Sequence, residues 1–249
     1  MSMTDEAIVE ARSDVEEPRE KPPADLVGSV RIQLHTRQGY FLVFSRRTSG
    51  EASPVVGLYR FAKRMGIIWT ASAHDDPFAD MFLDRVYAGL MNAKRELEDH
   101  EARVARMLDR AKESGLVVEL ASSAEPVEAE LRFSTPYGFM GADLVVRTDR
   151  FVRMCHTCRH VALMSVRECH QHVDWAVKLV ARTFFLSTGF KITGVTRSDW
   201  REQNARWREA LATFGGRQPP VDILEGRRRP IVSPPIEQTG SVQAERRSD

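Results

Sequence analysis

The run from Asp76 to Gly115 constrains this chain more than any other stretch. Asp76 stands where a helix N-cap belongs, Pro77 suits the first turn, and Gly115 falls just past the last periodic position. Between them Phe78, Met81, Phe82, Val86, Leu90, Leu97, Val104 and Leu108 recur at helical spacing and thin out toward the C-terminal half. One long helix is expected over 78–114, its second half solvated or packed on another chain. Its neighbours must therefore be elements that lie along a rod.

Residues 57–73 (GLYRFAKRMGIIWTASA) place Leu58, Phe61, Met65, Ile68 and Trp69 on one helical face. Two further helices are expected at 149–164 and 165–188, and another at 198–215, capped by Ser198 and closed by Gly215. VRIQLHTR (30–37) alternates strictly, with Val30, Ile32 and Leu34 opposite Arg31, Gln33, His35 and Arg37, the period of a half-buried strand. YFLVF (40–44) continues it or begins the next element. LVVEL (116–120), VEAELRF (127–133) and ADLVVRT (142–148) are further strand candidates. The fold class is α+β, mostly helical with a short antiparallel ribbon or sheet. Residues 1–25 read as a disordered acidic leader, 26–226 as a single domain, and 227–249 as a Pro- and Arg-rich tail.

Charge is uneven along the 249 residues although the net is only +1. Residues 26–64 carry seven basic side chains against Glu51, and 150–229 carry fifteen against seven acids. A polyanion is attracted to such regions when they share a surface. No run reaches the ~20 apolar residues of a bilayer span, and no secretory pattern opens the chain, so a cytoplasmic protein is expected.

MCHTCRHVALMSVRECHQH (154–172) holds all three cysteines and tempts a zinc reading through Cys155, Cys158, Cys169 and His172. Each cysteine falls inside an apolar helical stripe, however, where a free thiol acts as a small hydrophobe. The stretch reads as the core of a helical hairpin, and neither a metal nor another cofactor is expected. Catalytic motifs are also thin. Asp75-Asp76 suits a helix N-terminus at least as well as an acid dyad, and Tyr59, Arg60 and Arg64 lack the metal-binding acids of DNA-cleaving chemistry. The chain is not expected to be an enzyme or to have a small-molecule substrate.

The outward face of VRIQLHTR suggests a sharper role. Two such strands paired across a dimer axis form a ribbon that fits the DNA major groove, where Arg can read guanine and Gln adenine. Arg31, Gln33, His35 and Arg37 become candidate base contacts, and Arg46 and Arg47 candidate phosphate contacts. An ordinary amphipathic edge strand gives the same alternation, and ADLVVRT is the rival ribbon.

LHTR (34–37), DDPFADMFL (75–83), EPVEAELRFSTPYGFMGADLVV (125–146), CRHVALM (158–164) and GFKITGVTRSDW (189–200) followed by Asn204 run in order along the chain. With these stretches it resembles the integrating-conjugative-element proteins that include the AcaB-type transcriptional regulators of conjugation. The resemblance implies a homodimeric regulator that binds double-stranded DNA through a ribbon-helix-helix-like element and controls conjugative-transfer genes from a mobile element. The alternative is a non-catalytic accessory protein of the transfer machinery, acting through protein contacts along the charged helix.

Overall fold

The protein is described here by a computed structural model, which covers residues 30–45, 56–113, 115 and 117–237. The chain runs β1 (Val30–Leu34), α1 (Arg37–Phe44), α2 (Leu58–Ala73), α3 (Pro77–Glu113), β2 (Val127–Leu131), α4 (Pro136–His160), α5 (Val166–Phe185), α6 (Arg197–Glu202), α7 (Ala205–Thr213) and α8 (Val221–Leu224). The leader 1–25, Arg46, Arg47 and residues 238–249 lie outside the described residues.

The long helix forms as its signals require. Asp76 Oδ1 accepts the amides of Phe78 at 2.8 Å and Ala79 at 3.2 Å, and Gly115 takes φ 90° past the end. At ~1.5 Å per residue, α3 is about 55 Å long. Its second half packs within the same chain rather than facing solvent. Leu97 and Val104 are buried, His100 stacks on Trp175 of α5 at 3.7 Å, and Glu98 and Glu101 pair with Arg147 and Arg150 of α4. The sparse stripe misleads because long charged stems cover the flanks of a narrow apolar seam.

Helix α4 is the centre of the body and touches α1, α2, α3, α5 and β1. Its buried positions run from Tyr137 to Cys158 and face several directions, as expected of a helix enclosed by others. This corrects the strand expected at 142–148: Ala142, Leu144, Val145 and Thr148 are buried while Asp143 and Val146 are exposed, a helical period hidden in the sequence by an apolar residue on the exposed side and a polar one on the buried side. The PYGFMGA stretch now has a physical account. Pro136 sits in the first turn, and the Tyr137 hydroxyl, buried with the ring, donates toward the carbonyls of Val232 at 2.8 Å and Leu83 at 3.2 Å. A Cβ on Gly141 would come within 2.9 Å of Phe61, whose ring stacks on Phe184 at 4.5 Å, so glycine sets the α2–α4 approach.

Other elements depart from expectation locally. YFLVF belongs to helix α1, and 117–120 has no regular structure. The helix expected from Ser198 is two helices. Thr196 and Asp199 form a capping box for α6, Gln203 turns left-handed at φ 50°, and Asn204 caps α7 through the Trp207 amide. Here Phe78, Val195, Trp207, Ala210 and Leu224 form a second apolar cluster.

The packed chain also continues past Gly226. Arg228 bridges Asp84 and Asp222, Arg229 reaches Asp80 and Ser72, and the Glu237 amide donates to the Ala73 carbonyl at 2.9 Å. Among the described residues no helix is long and apolar enough to cross a membrane.

Candidate nucleic-acid interface

The ribbon is antiparallel and internal to one chain, with Val30 opposite Leu131, Ile32 opposite Ala129 and Leu34 opposite Val127. Leu34, Ala129 and Leu131 are buried and Ile32 half-buried, which anchors one face on the helices. Val30 escapes the expected pattern and is exposed at the strand end. The other face carries Arg31 and Gln33, with Glu130 and Glu128 across from them. Gln33 Nε2 donates to Glu128 Oε1 at 3.2 Å, and an Arg31 guanidinium nitrogen lies 3.9 Å from the same carboxylate. Arg132, just beyond β2, pairs with Glu130 at 3.1 Å. Such exposed pairs contribute about 1 kcal/mol at most, so they exchange readily for another anion.

His35 and Arg37 part company with the outward face. The His35 amide donates to Asp149 of α4 at 3.2 Å, and its Nδ1 is buried with no partner among the described residues. Thr36 caps α1 by accepting the Gly39 amide at 3.0 Å, and its own amide and hydroxyl donate to Asp149 Oδ1. One buried carboxylate therefore fixes the bend from strand to helix. Arg37, the first residue of α1, is exposed.

Beside the ribbon runs a row of aromatic rings. Tyr40 contacts Phe44 at 4.7 Å, Phe44 contacts Tyr59 at 5.7 Å, Tyr59 contacts Phe133 at 6.0 Å, and Phe133 contacts Phe139 at 5.4 Å. Tyr40, Phe44, Tyr59 and Phe139 are each about 40 % exposed. The Tyr59 hydroxyl donates to the Glu130 carbonyl at 2.7 Å, tying α2 to β2. Next to Tyr59, Arg60, Lys63 and Arg64 share one side of α2, Arg60 and Lys63 exposed and Arg64 half-buried. Arg37, Arg60, Lys63 and Arg64 have no ion-pair partner among the described residues. The sequence marked 26–64 as basic, but the aromatic row went unseen: its only sequence signal is the i,i+4 pair Tyr40–Phe44, since Tyr59 and Phe133 arrive from remote segments.

The cysteine cluster takes its place in the core. Cys155, Cys158 and Cys169 are fully buried and unbridged, and Cys169 Sγ lies 3.7 Å from His156 Nδ1. Burial pushes the Cys155 thiol up to about 12 and raises Cys158 and Cys169 too. His172 sits apart, edge-on to Phe151 and His100.

A short two-stranded ribbon seated on a helical body defines a mostly helical α+β protein. The family model described as transcriptional regulator AcaB matches residues 22–237, and the chain belongs to that family of transcriptional regulators. Its fold is similar to that in the crystal structure of selenomethionine-containing AcaB from uropathogenic E. coli, with a TM-score of 0.54 at 10% sequence identity. The likeness covers 80% of this chain and 95% of that one. No curated protein matches the chain.

Proposed function

We propose that this transcriptional regulator binds double-stranded DNA as a homodimer, through the ribbon and the adjoining face of α1 and α2, and controls conjugative-transfer genes. The observation that carries the DNA contact is the group of uncompensated cations, Arg37, Arg60, Lys63 and Arg64, beside a ribbon whose own charges are paired. The four cations hold phosphates, while Arg31 and Gln33 turn from Glu128 toward base edges in the major groove. Arg46 and Arg47 extend the same basic segment in sequence. Strand, helix and helix follow one another from Val30 to Ala73, the chain order of a ribbon-helix-helix element. The departure from that pattern is that β1 already pairs with β2 of its own chain, so in this reading a second copy joins along a free edge of the sheet or through the aromatic row. The element's own conjugation genes follow from the family's regulators rather than from any side chain here.

A gel-shift titration against promoter fragments of the host element, at two salt concentrations with competitor DNA, tests the reading. Selective retention of one fragment at the higher salt supports it. Uniform weak shifts that vanish with salt leave only an electrostatic surface. The exposed row Tyr40, Phe44, Tyr59 and Phe139 favours a second reading, docking of a protein partner by an accessory component. Light scattering of the free protein, followed by partner pull-down, separates that from self-association.

A further inference from the structure

A second site lies at the far end of α2, away from the basic group. A cavity of about 540 Å³ opens between that helix end and the 192–196 segment, a size suited to a small organic ligand. Ile67, Ala71, Ile192 and Val195 give it apolar walls, Thr70, His74 and Thr196 are polar, and Asp76 also lines it. Asp76 is 2 % exposed, and its Oδ2 accepts no hydrogen bond from any described residue although Oδ1 is used up as the α3 cap. An unsatisfied buried carboxylate oxygen is costly and wants a donor.

The charges around it say which donor. Arg197, 3 % exposed, contacts both Asp75 and Asp80, and Arg229 also contacts Asp80. Two arginines answer Asp75 and Asp80, and among the described residues Asp76 has only the two amides of its own cap, both on Oδ1. At the rim, His74 is engaged by the Thr70 carbonyl at 2.7 Å and by Glu237 at 3.4 Å, and Glu237 adds a further carboxylate. The closing carbonyls of α2 add the negative end of its dipole, while the first amides of α3 bring the positive end of that helix to Asp76 Oδ1. We propose that this cavity binds a small primary-ammonium ligand, with the cation drawn to the Asp76 carboxylate and the apolar body between Ile67, Ala71, Ile192 and Val195. The site stands independently of the DNA reading. Burial raises the Asp76 carboxyl to about 7, so such a ligand binds the ionised form and binds more tightly as pH rises toward 8.

The test is calorimetric titration of the full chain with n-hexylammonium, 1-hexanol and hexanoate at pH 8, with amide NMR shifts followed at Ala71, Val195 and Thr196. Hexylammonium is expected to saturate with at least tenfold higher affinity than the other two, and to weaken severalfold at pH 6. Asp76→Asn keeps a competent N-cap, since asparagine caps as well as aspartate, and should abolish the tenfold preference. Equal binding of hexanol, indifference of the Asp76→Asn variant, or absence of saturable hexylammonium binding would each overturn the proposal.

Discussion

Asp149 Oδ1 receives the Thr36 hydroxyl at 2.7 Å and the Thr36 amide at 2.9 Å, so a carboxylate of α4 holds the N-cap of α1 across 113 residues of sequence. Because α1 follows the ribbon directly, this pair sets the angle between the strand and the helices behind it. Asp149→Ala leaves the His35 and Thr36 amides without acceptors and is expected to cost about 3 kcal/mol, against ~1 kcal/mol for Thr36→Ala. Gly39→Ala belongs to the same test, since its Cβ would meet Asp149 Oδ1 at 2.4 Å. Urea unfolding of the three variants should rank Asp149→Ala as most damaging; equal small losses would mean the junction is not fixed by this carboxylate.

The ribbon makes a prediction of opposite sign for its acids and bases. Glu128 holds both Gln33 and Arg31, so Glu128→Gln releases Arg31, leaves Gln33 only an amide oxygen to donate to, and removes a negative charge from the face. If the ribbon meets DNA, Glu128→Gln binds a specific fragment more tightly and Arg31→Ala loses ~1–3 kcal/mol at the bases it reads. Fluorescence anisotropy at fixed salt compares them. Unchanged affinity in both variants moves the interface away from the ribbon.

If the α2 cations hold DNA phosphates, their contribution is read in the salt dependence. Arg60→Ala with Lys63→Ala should weaken binding to all sequences alike and lower the slope of log affinity against log salt by about 2, one for each lost phosphate contact. A loss confined to one fragment, with the slope preserved, would assign these residues to base reading instead.

Much of the body was legible because the signals were local. Asp76, Pro77 and Gly115 mark the ends of α3 by chemistry that acts within a turn, and the stripes around Cys155, Cys158 and Cys169 describe buried helix faces. Local rules fail where the environment comes from elsewhere. The strand-like 142–148 run is helical, with Ala142, Leu144, Val145 and Thr148 buried by neighbouring helices and Asp143 and Val146 exposed, and the apolar Val146 outside and polar Thr148 inside blur that period within seven residues. His35 reads as outward by parity, yet its backbone is drawn to Asp149 and its ring nitrogen is enclosed. Glu128 and Glu130 were visible as the polar face of a strand, but their register opposite Gln33 and Arg31 appears only once β1 and β2 pair.

The thiols offer a chemical check on the core. With Cys155 pushed up to about 12 and all three sulfurs buried, native protein at neutral pH should react with a disulfide reagent only at the rate of unfolding. Labelling should be complete in denaturant. Fast labelling of one thiol in the native state would place that cysteine at the surface and break the hairpin packing described.

Asp76 gives the stability a pH dependence whose sign is opposite to that of most carboxylates. Its carboxyl rises from the ordinary 3.8 to about 7, chiefly through burial, with the amides of Ala79 and Phe78 pulling the other way. Between those two values the folded chain holds a proton that the unfolded chain has lost. Stability from this group is therefore present at low pH and declines as pH climbs from about 4 to about 7, by roughly 1 kcal/mol per unit at most, then levels off. Asp76→Asn keeps the cap and cannot ionise, so it should lie close to the parent at pH 5 and be the more stable of the two at pH 8. Paired urea titrations at those values measure the difference. A parent chain that gains on the variant as pH rises would mean that Asp76 is ionised and satisfied in the folded state, with a donor reaching Oδ2.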